Sequence, residues 1–337
     1  MRPRSRVCSI ESGATMFDDF QFSTILVATI RSAPVLLFAA FAGVFAERSG
    51  IIDLALEGKM LASAFVAAAC TYATQNPYLG VAAGIMVSCF IVLLQGYVAI
   101  NQKGNQLVFG IAINIAMSGL TFVLAQYFFQ LGGRSPDLGA ARFAVWNFPF
   151  ADWWSTIPAL NWLLGKFLGG HTVLVYLAFA LIPCLHWLIN HSRFGLRLRA
   201  VGENPHAADA AGINVAQTRY LALLCGGVLC SLSGAYLAIV QSGFFLRDMS
   251  AGNGFLALTA MVFGNWRPLQ TALGCLMFGF FAALQIQMEG VAFPVVGQIP
   301  GSLIQMLPFV VTVVVLAGVM AKSVGPKALG VPFVKSR

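Results

Sequence analysis

Nine apolar runs follow one another along this chain, near residues 23–46, 51–73, 78–100, 107–130, 172–190, 220–241, 253–265, 268–288 and 300–320, and very little charge interrupts them. One helical crossing of a bilayer's hydrocarbon core takes about 20 residues, so nine crossings would use about 180. That is close to the apolar share of a 337-residue chain that is 58% hydrophobic and 9% charged. Soluble domains carry about 25% charged residues, and 12 acidic with 20 basic side chains cannot clothe a soluble surface of this size. The runs are continuous rather than alternating, which excludes a membrane barrel. The expected fold is all-α: a polytopic integral membrane protein of about nine or ten transmembrane helices. A single domain covers residues 23–320, preceded by an N-terminal segment at 1–22 and followed by a tail at 321–337. A soluble enzyme, a large extramembrane domain and a nucleic-acid binder are excluded, despite the net charge of +8.

Basic loops stay on the cytoplasmic side of a membrane. Between 191 and 219, Arg193, Arg197, Arg199 and Arg219 face only Glu203 and Asp209, which places this loop in the cytoplasm. The tail carries Lys322, Lys327, Lys335 and Arg337 with no acid after Glu289, so it is assigned to the same side. Counting back puts the 131–171 connection outside and 101–106 inside. The outer connection holds Trp146, Trp153, Trp154 and Trp162 among several phenylalanines, the composition of a short amphipathic element at the interface. Cys70, Cys89, Cys184, Cys225, Cys230 and Cys275 lie in apolar stretches without metal-ligand spacing and read as small buried hydrophobes. No apolar run directly follows Arg2, Arg4 and Arg6, so the N-terminus is not a cleavable signal peptide. Met16 is an alternative start, and the first span then serves as the insertion signal.

Two segments are too short or too interrupted for plain spans. Gly50-Ile-Ile-Asp-Leu-Ala-Leu-Glu-Gly58 contains Asp53 and Glu57, and Gly252-Asn-Gly-Phe-Leu-Ala-Leu-Thr-Ala-Met-Val-Phe-Gly264 runs into Asn265-Trp-Arg-Pro268. Both share Leu-Ala-Leu between flanking glycines. Such pairs in corresponding places mark broken helices in a protein built from two related halves, and the breaks tend to lie at a transport pathway. Whether 50–58 crosses, re-enters or lies in the interface separates nine spans from ten.

The cytoplasmic loop contains a short helix that can be drawn from local rules. Asn204 suits the N-cap, Pro205 the first helical position and Gly212 the position just past the end. Ala207, Ala208, Ala210 and Ala211 lie between them. Two turns are not stable alone. The helix is therefore either a knob for a groove on a partner or a connector lying against its own membrane domain.

Here the residues resemble a family. Gly195-Leu-Arg-Leu-Arg-Ala-Val-Gly-Glu-Asn-Pro-His-Ala-Ala-Asp-Ala-Ala-Gly-Ile213 resembles the coupling loop of ABC importer permeases of the ribose, branched-chain amino-acid and nucleoside group. Glu47-Arg-Ser-Gly-Ile-Ile-Asp-Leu-Ala-Leu-Glu-Gly58 and Gly254-Phe-Leu-Ala-Leu-Thr-Ala-Met-Val-Phe-Gly-Asn-Trp-Arg-Pro268 resemble the early and late signatures of its nucleoside and simple-sugar branch. The sequence departs from that branch twice, with Asp53 in place of Asn and Lys59 in place of an apolar residue. The resemblance implies a permease subunit in a bacterial inner membrane, moving a neutral polar solute inward. Nucleosides are the implied solute, with a simple sugar as the alternative. Implied partners are a second related permease, a cytoplasmic ABC ATPase and an extracytoplasmic substrate-binding lipoprotein. It gives Arg197, Arg199, Glu203, Asn204, Pro205, Ala207, Ala208, Ala211 and Gly212 an ATPase-coupling role. The chain has no Gly-x-x-x-x-Gly-Lys-Ser/Thr phosphate loop, so ATP hydrolysis falls to a partner. No catalytic residue, metal or cofactor is expected.

Polar groups at membrane depth are candidates for the translocation pathway. Asn114 and Ser118 share a helix face, and neutral amides and hydroxyls suit hydroxylated solutes. Helix–helix bonding is the other reading of Asn114. Asp53 and Glu57 lie in the first broken segment, where Glu57 either lines the pathway or pairs with Arg48 or Lys59. Phe255 and Phe263 either stack a nucleobase or pack the core, and Gln95, Asn105 and Gln106 are read as gating or solvated. An ion-coupled secondary transporter also uses broken helices, but it has no need for a capped alanine helix in a basic loop. An intramembrane enzyme would rest on Ser231-Leu-Ser-Gly234, which lacks the preceding glycine of a nucleophile turn.

Overall fold

The computed structural model describes residues 22–146, 169–288 and 324–334, two short strands at 292–293 and 297–298, and the single positions Met306, Val310 and Val313. The N-terminal segment, the tryptophan-rich part of the outer connection after Trp146, and the expected span at 300–320 apart from those three positions lie outside the described residues.

The helices in chain order are α1 (Phe22–Arg48), α2 (Leu56–Thr74), α3 (Pro77–Gly96), α4 (Gln106–Phe129), α5 (Val173–His191), α6 (Arg193–Glu203), α7 (Pro205–Ala210), α8 (Val215–Ala235), α9 (Asn253–Phe263) and α10 (Pro268–Met288). Helices α3 and α8 continue into π-helical turns at Tyr97–Asn101 and Tyr236–Ser242. Asparagine sets several of the starts, by accepting backbone N–H groups that have no partner within the helix. Asn76 accepts from Tyr78 ahead of α3, Asn105 from Leu107 and Val108 ahead of α4, and Asn214 from Gln217 ahead of α8.

Among the described residues six helices are long and apolar enough to cross a membrane: α1, α3, α4, α5, α8 and α10. Helix α2 carries Glu57 and Lys59 in its first turn. Helix α9, with 11 residues, is about 16 Å long, half a hydrocarbon core. Among the described residues, strand structure is confined to two antiparallel pairs of two residues, β1 (Val145–Trp146) with β2 (His171–Thr172) and β3 (Ala292–Phe293) with β4 (Gly297–Gln298). The molecule is thus an all-α multi-pass membrane protein with broken short helices.

Helices α1 and α8 form the centre, packed on each other and flanked by α2, α3, α9 and α10. In the most apolar 18-residue stretch of each span, 67% of the residues are buried for α1 and 78% for α8 with its extension, against 17% for α4 at the rim. Phe38, Phe41, Phe45, Tyr236 and Phe278 fill the space between them. Hydroxyls bond across the helices, Ser233 Oγ donating to Val35 O at 2.6 Å and Ser88 Oγ to Gly227 O at 2.7 Å, which suits an interior where apolar burial alone cannot drive helices together. Helix α4 turns Ile111, Ile115, Val123, Tyr127 and Phe128 outward.

Candidate functional site

Two breaks define the site. The first, Ser49–Ala55, separates α1 from α2; the second, 243–252, separates the π-helical end of α8 from α9. Buried irregular backbone survives only where its polar groups are satisfied, and side chains from distant elements do this here. The Gln106 side chain accepts the Ile52 N–H at 2.8 Å. Asn114 works as a clamp, its Oδ1 accepting the Gly58 N–H and its Nδ2 donating to Leu54 O, both at 2.8 Å. Glu57 joins the two breaks: Oε1 accepts the Gly252 N–H at 2.8 Å and Oε2 the Gly254 N–H at 2.7 Å. Its carboxylate therefore sits at the start of α9, where the helix dipole favours negative charge. A Cβ on residue 254 would lie 2.7 Å from Glu57 N, so the approach needs glycine.

Beside the first break lies a buried ion pair. Lys59 Nζ donates to Asp53 Oδ1 at 2.7 Å and Oδ2 at 2.5 Å, with both side chains at most 1% exposed. Gln95 completes the cluster, receiving from Lys59 at 3.2 Å and donating to Asp53 at 3.1 Å. The two departures from the nucleoside and simple-sugar pattern are therefore partners that neutralise one another.

These positions revise several expectations. Glu57 pairs with neither Arg48 nor Lys59 but with backbone. Each end of the Asn114 amide makes one hydrogen bond to the backbone of the first break, which accords with the helix-bonding reading. Asp53 is withdrawn into the ion pair, and Gln95 is buried rather than solvated. Ser118 donates to Asp248 Oδ1 at 2.5 Å, tying α4 to the second break. Phe255 is half exposed, and Phe263 packs near Gly274 of α10. Asp248 was not singled out from sequence, since nothing local marks a loop carboxylate as the partner of a serine 130 residues away.

The opposite face of the first break meets the basic loop. Sequence reasoning read 193–203 as loop, yet α6 forms there, capped by Ser192, whose Oγ accepts the Gly195 N–H at 3.0 Å. Its apolar residues Phe194, Leu198 and Val201 have helical spacing, a signal the density of arginine obscured. Helix α7 follows as drawn. Asn204 Oδ1 accepts the Ala207 N–H at 3.0 Å, and Gly212 adopts φ +81°. Gly212 N–H donates to Asp209 O and Ile213 N–H to Ala208 O, the two bonds of a Schellman stop. Ala207, Ala211 and Gly212 are exposed with Arg197, Glu203 and Asn204, whereas Arg199 is half-buried and donates to Asn190 O. Pro205 and Ala208 face inward, Ala208 against Val201 and Val215, so the smooth outer face is narrower than the run of alanines suggests. A cleft of about 500 Å³ runs alongside, lined by Lys103, Asp209, Ile213, Arg219 and Phe333 among others.

A sequence model of the family described as "Branched-chain amino acid transport system / permease component" matches residues 25–316. The chain belongs to this permease family. The permease is 36% identical over 322 residues to the nucleoside ABC transporter permease protein NupC of Lactococcus lactis, covering 93% of this chain and 98% of the other. It is 32% identical over 324 residues to the guanosine ABC transporter permease protein NupQ of Bacillus subtilis, covering 94% and 98%. A solved ABC transporter in an inward-facing conformation shares the fold, with a TM-score of 0.50 at 15% identity over 88% of the permease and 85% of that chain.

Proposed function

We propose that this chain is the membrane-spanning subunit of an ATP-driven ABC importer that carries nucleosides inward across a bacterial cytoplasmic membrane. The observation that carries the reading is similarity over nearly the whole length of both chains to permeases named for nucleosides and for guanosine. The site supports a neutral solute, because its charges are already engaged: Asp53 with Lys59, and Glu57 with two backbone N–H groups. In this reading a cytoplasmic ATPase docks on the exposed rim of α7, a substrate-binding lipoprotein delivers solute from outside, and a second related permease covers the apolar face of α4. The tail and the basic loop then lie in the cytoplasm. Transport follows from two packings of the broken helices, with the ATPase biasing one over the other. Catalysis of ATP hydrolysis belongs to the partner.

Uptake of labelled nucleosides and labelled pentoses into cells lacking this gene, with and without a plasmid copy, tests the substrate. Restored uptake of nucleosides alone is expected; restored uptake of pentoses alone would move the assignment to sugars. Ala211→Cys should crosslink to the co-expressed ATPase. Transport by the purified permease under an ion gradient, with no ATPase present, would overturn the importer reading.

A further inference from the structure

Residues 324–334 have no helix or strand of their own, yet they meet the end of α9, α6, α7, α8 and the first break. Val324 N–H donates to Asn265 Oδ1, just past α9, at 3.2 Å. Ala328 N–H donates to Gly202 O, in the last turn of α6, at 2.9 Å, and Gly330 N–H donates to Gly50 O, within the first break, at 2.9 Å. Phe333 lies 5.2 Å from the His206 ring of α7. Arg219, 1% exposed, holds the strap from behind, its Nε donating to Ser49 O at 3.1 Å and its Nη2 to Val331 O at 3.5 Å. Helix α6 also touches the end of α1 directly, since a Cβ on Gly202 would come within 2.1 Å of Arg48 O.

This is more than a tail resting on a surface. The strap's N–H groups are donated to carbonyls that bound α6 and the first break, and its ring reaches α7. An arginine this deeply buried cannot release its partners cheaply, because an unpaired charged donor keeps its full desolvation penalty. Helix α6, the strap and Ser49–Gly50 are thus joined by several hydrogen bonds, and α7 meets the strap through the His206–Phe333 ring contact.

We propose that residues 324–334, with Arg219 and Phe333 as positioning residues, form a strap that transmits the movement of α7 to the first break. The proposal rests on the importer reading for the partner that pushes α7. It goes beyond that reading by assigning coupling to the C-terminal segment as well as to the helix that meets the ATPase.

The test uses the whole transporter, permease with its ATPase and binding protein, reconstituted in vesicles, and measures solute moved per ATP hydrolysed. Removal of 324–337 should leave the ATPase bound and hydrolysing, while the ratio falls about five-fold or more, the low end of typical coupling free energies. Phe333→Ala should lower the ratio in the same direction, and Phe333→Tyr should retain it. If uptake and hydrolysis fall together at a constant ratio, the strap serves stability alone and the proposal is overturned; an unchanged ratio overturns it as well. Should the truncated chain fail to reach the membrane, Phe333→Ala and Phe333→Tyr decide by the same ratio. A wild-type preparation that retains no ATPase would instead overturn the importer reading, and the strap proposal with it.

Discussion

Taking an ammonium or a carboxylate out of water into an interior as dry as that around Lys59 and Asp53 costs several kcal/mol per ion, and their attraction offsets this only while both are present. Asp53→Asn or Lys59→Met alone should therefore lower stability by about 3–5 kcal/mol. The double variant should return to within about 1 kcal/mol of the native protein, because a neutral pair leaves no uncompensated charge. Thermal unfolding of the detergent-solubilised permease, followed by size-exclusion chromatography, checks this; a double variant no better than either single one would show that the pair has another task. Glu57→Gln tests the second cluster. An amide can accept only one of the two N–H bonds through oxygen and turns its NH₂ toward the other, so uptake should fall while the protein still inserts. Each residue in these clusters was visible in the sequence as a polar group among apolar ones. Their partners were not. Asp53 and Lys59 sit six apart across a helix start, a spacing that no periodic rule joins, and Glu57 bonds residues nearly 200 positions away.

Helix α7 was legible in the sequence and α6 was not, because the density of arginine in the basic loop hides the Ser192 cap and the helical spacing of the apolar residues of α6. Caps and stops are set by residues within a few positions of one another, so Asn204, Pro205 and Gly212 announce their helix without tertiary help. Helix α6 exists because Leu198 and Val201 have a surface to bury against, and that surface comes from other parts of the chain. The same locality yields a clean prediction at Gly212. Nothing lies within 4 Å of a Cβ there, so a substitution would act only through its positive φ. Gly212→Val should strain the stop by about 1–2 kcal/mol, whereas Gly212→Asn, which visits left-handed backbone readily, should be nearly silent. Uptake should fall in the first variant and persist in the second, with membrane levels of both unchanged on immunoblots. Equal impairment of the two would point to a contact made by the bare glycine with a partner instead.

At the scale of the whole molecule, apolar runs foretold a helical membrane protein but not its arrangement. Helices α1, α4 and α8 are all apolar enough to cross a bilayer, yet two form the centre and one the rim; composition reports that a segment leaves water, not which neighbours receive it. The central pair is instead marked by what it packs and bonds, Phe38, Phe41 and Phe45 on α1 and Ser233 and Tyr236 on α8 and its extension. The strap fixes one global relation independently of charge rules, since Gly330 and Gly202 can be bonded to the first break and the strap only if the C-terminal segment and the basic loop share a side. In the proposed orientation a fluorescent protein fused after Arg337 should be bright in the cytoplasm, and alkaline phosphatase fused after Gln130 should be active outside; the reverse pattern would invert the orientation. The bridge at Glu57 carries a further consequence for how the chain is made. Its acceptor and donors are separated by 195 and 197 residues, which at about 5–20 residues per second is roughly 10–40 s of translation. Throughout that interval the Glu57 carboxylate has been made and its two N–H donors have not. The bridge can therefore close only late in synthesis, and until residues 252–254 arrive Glu57 depends on water or the insertion machinery for its hydrogen bonds.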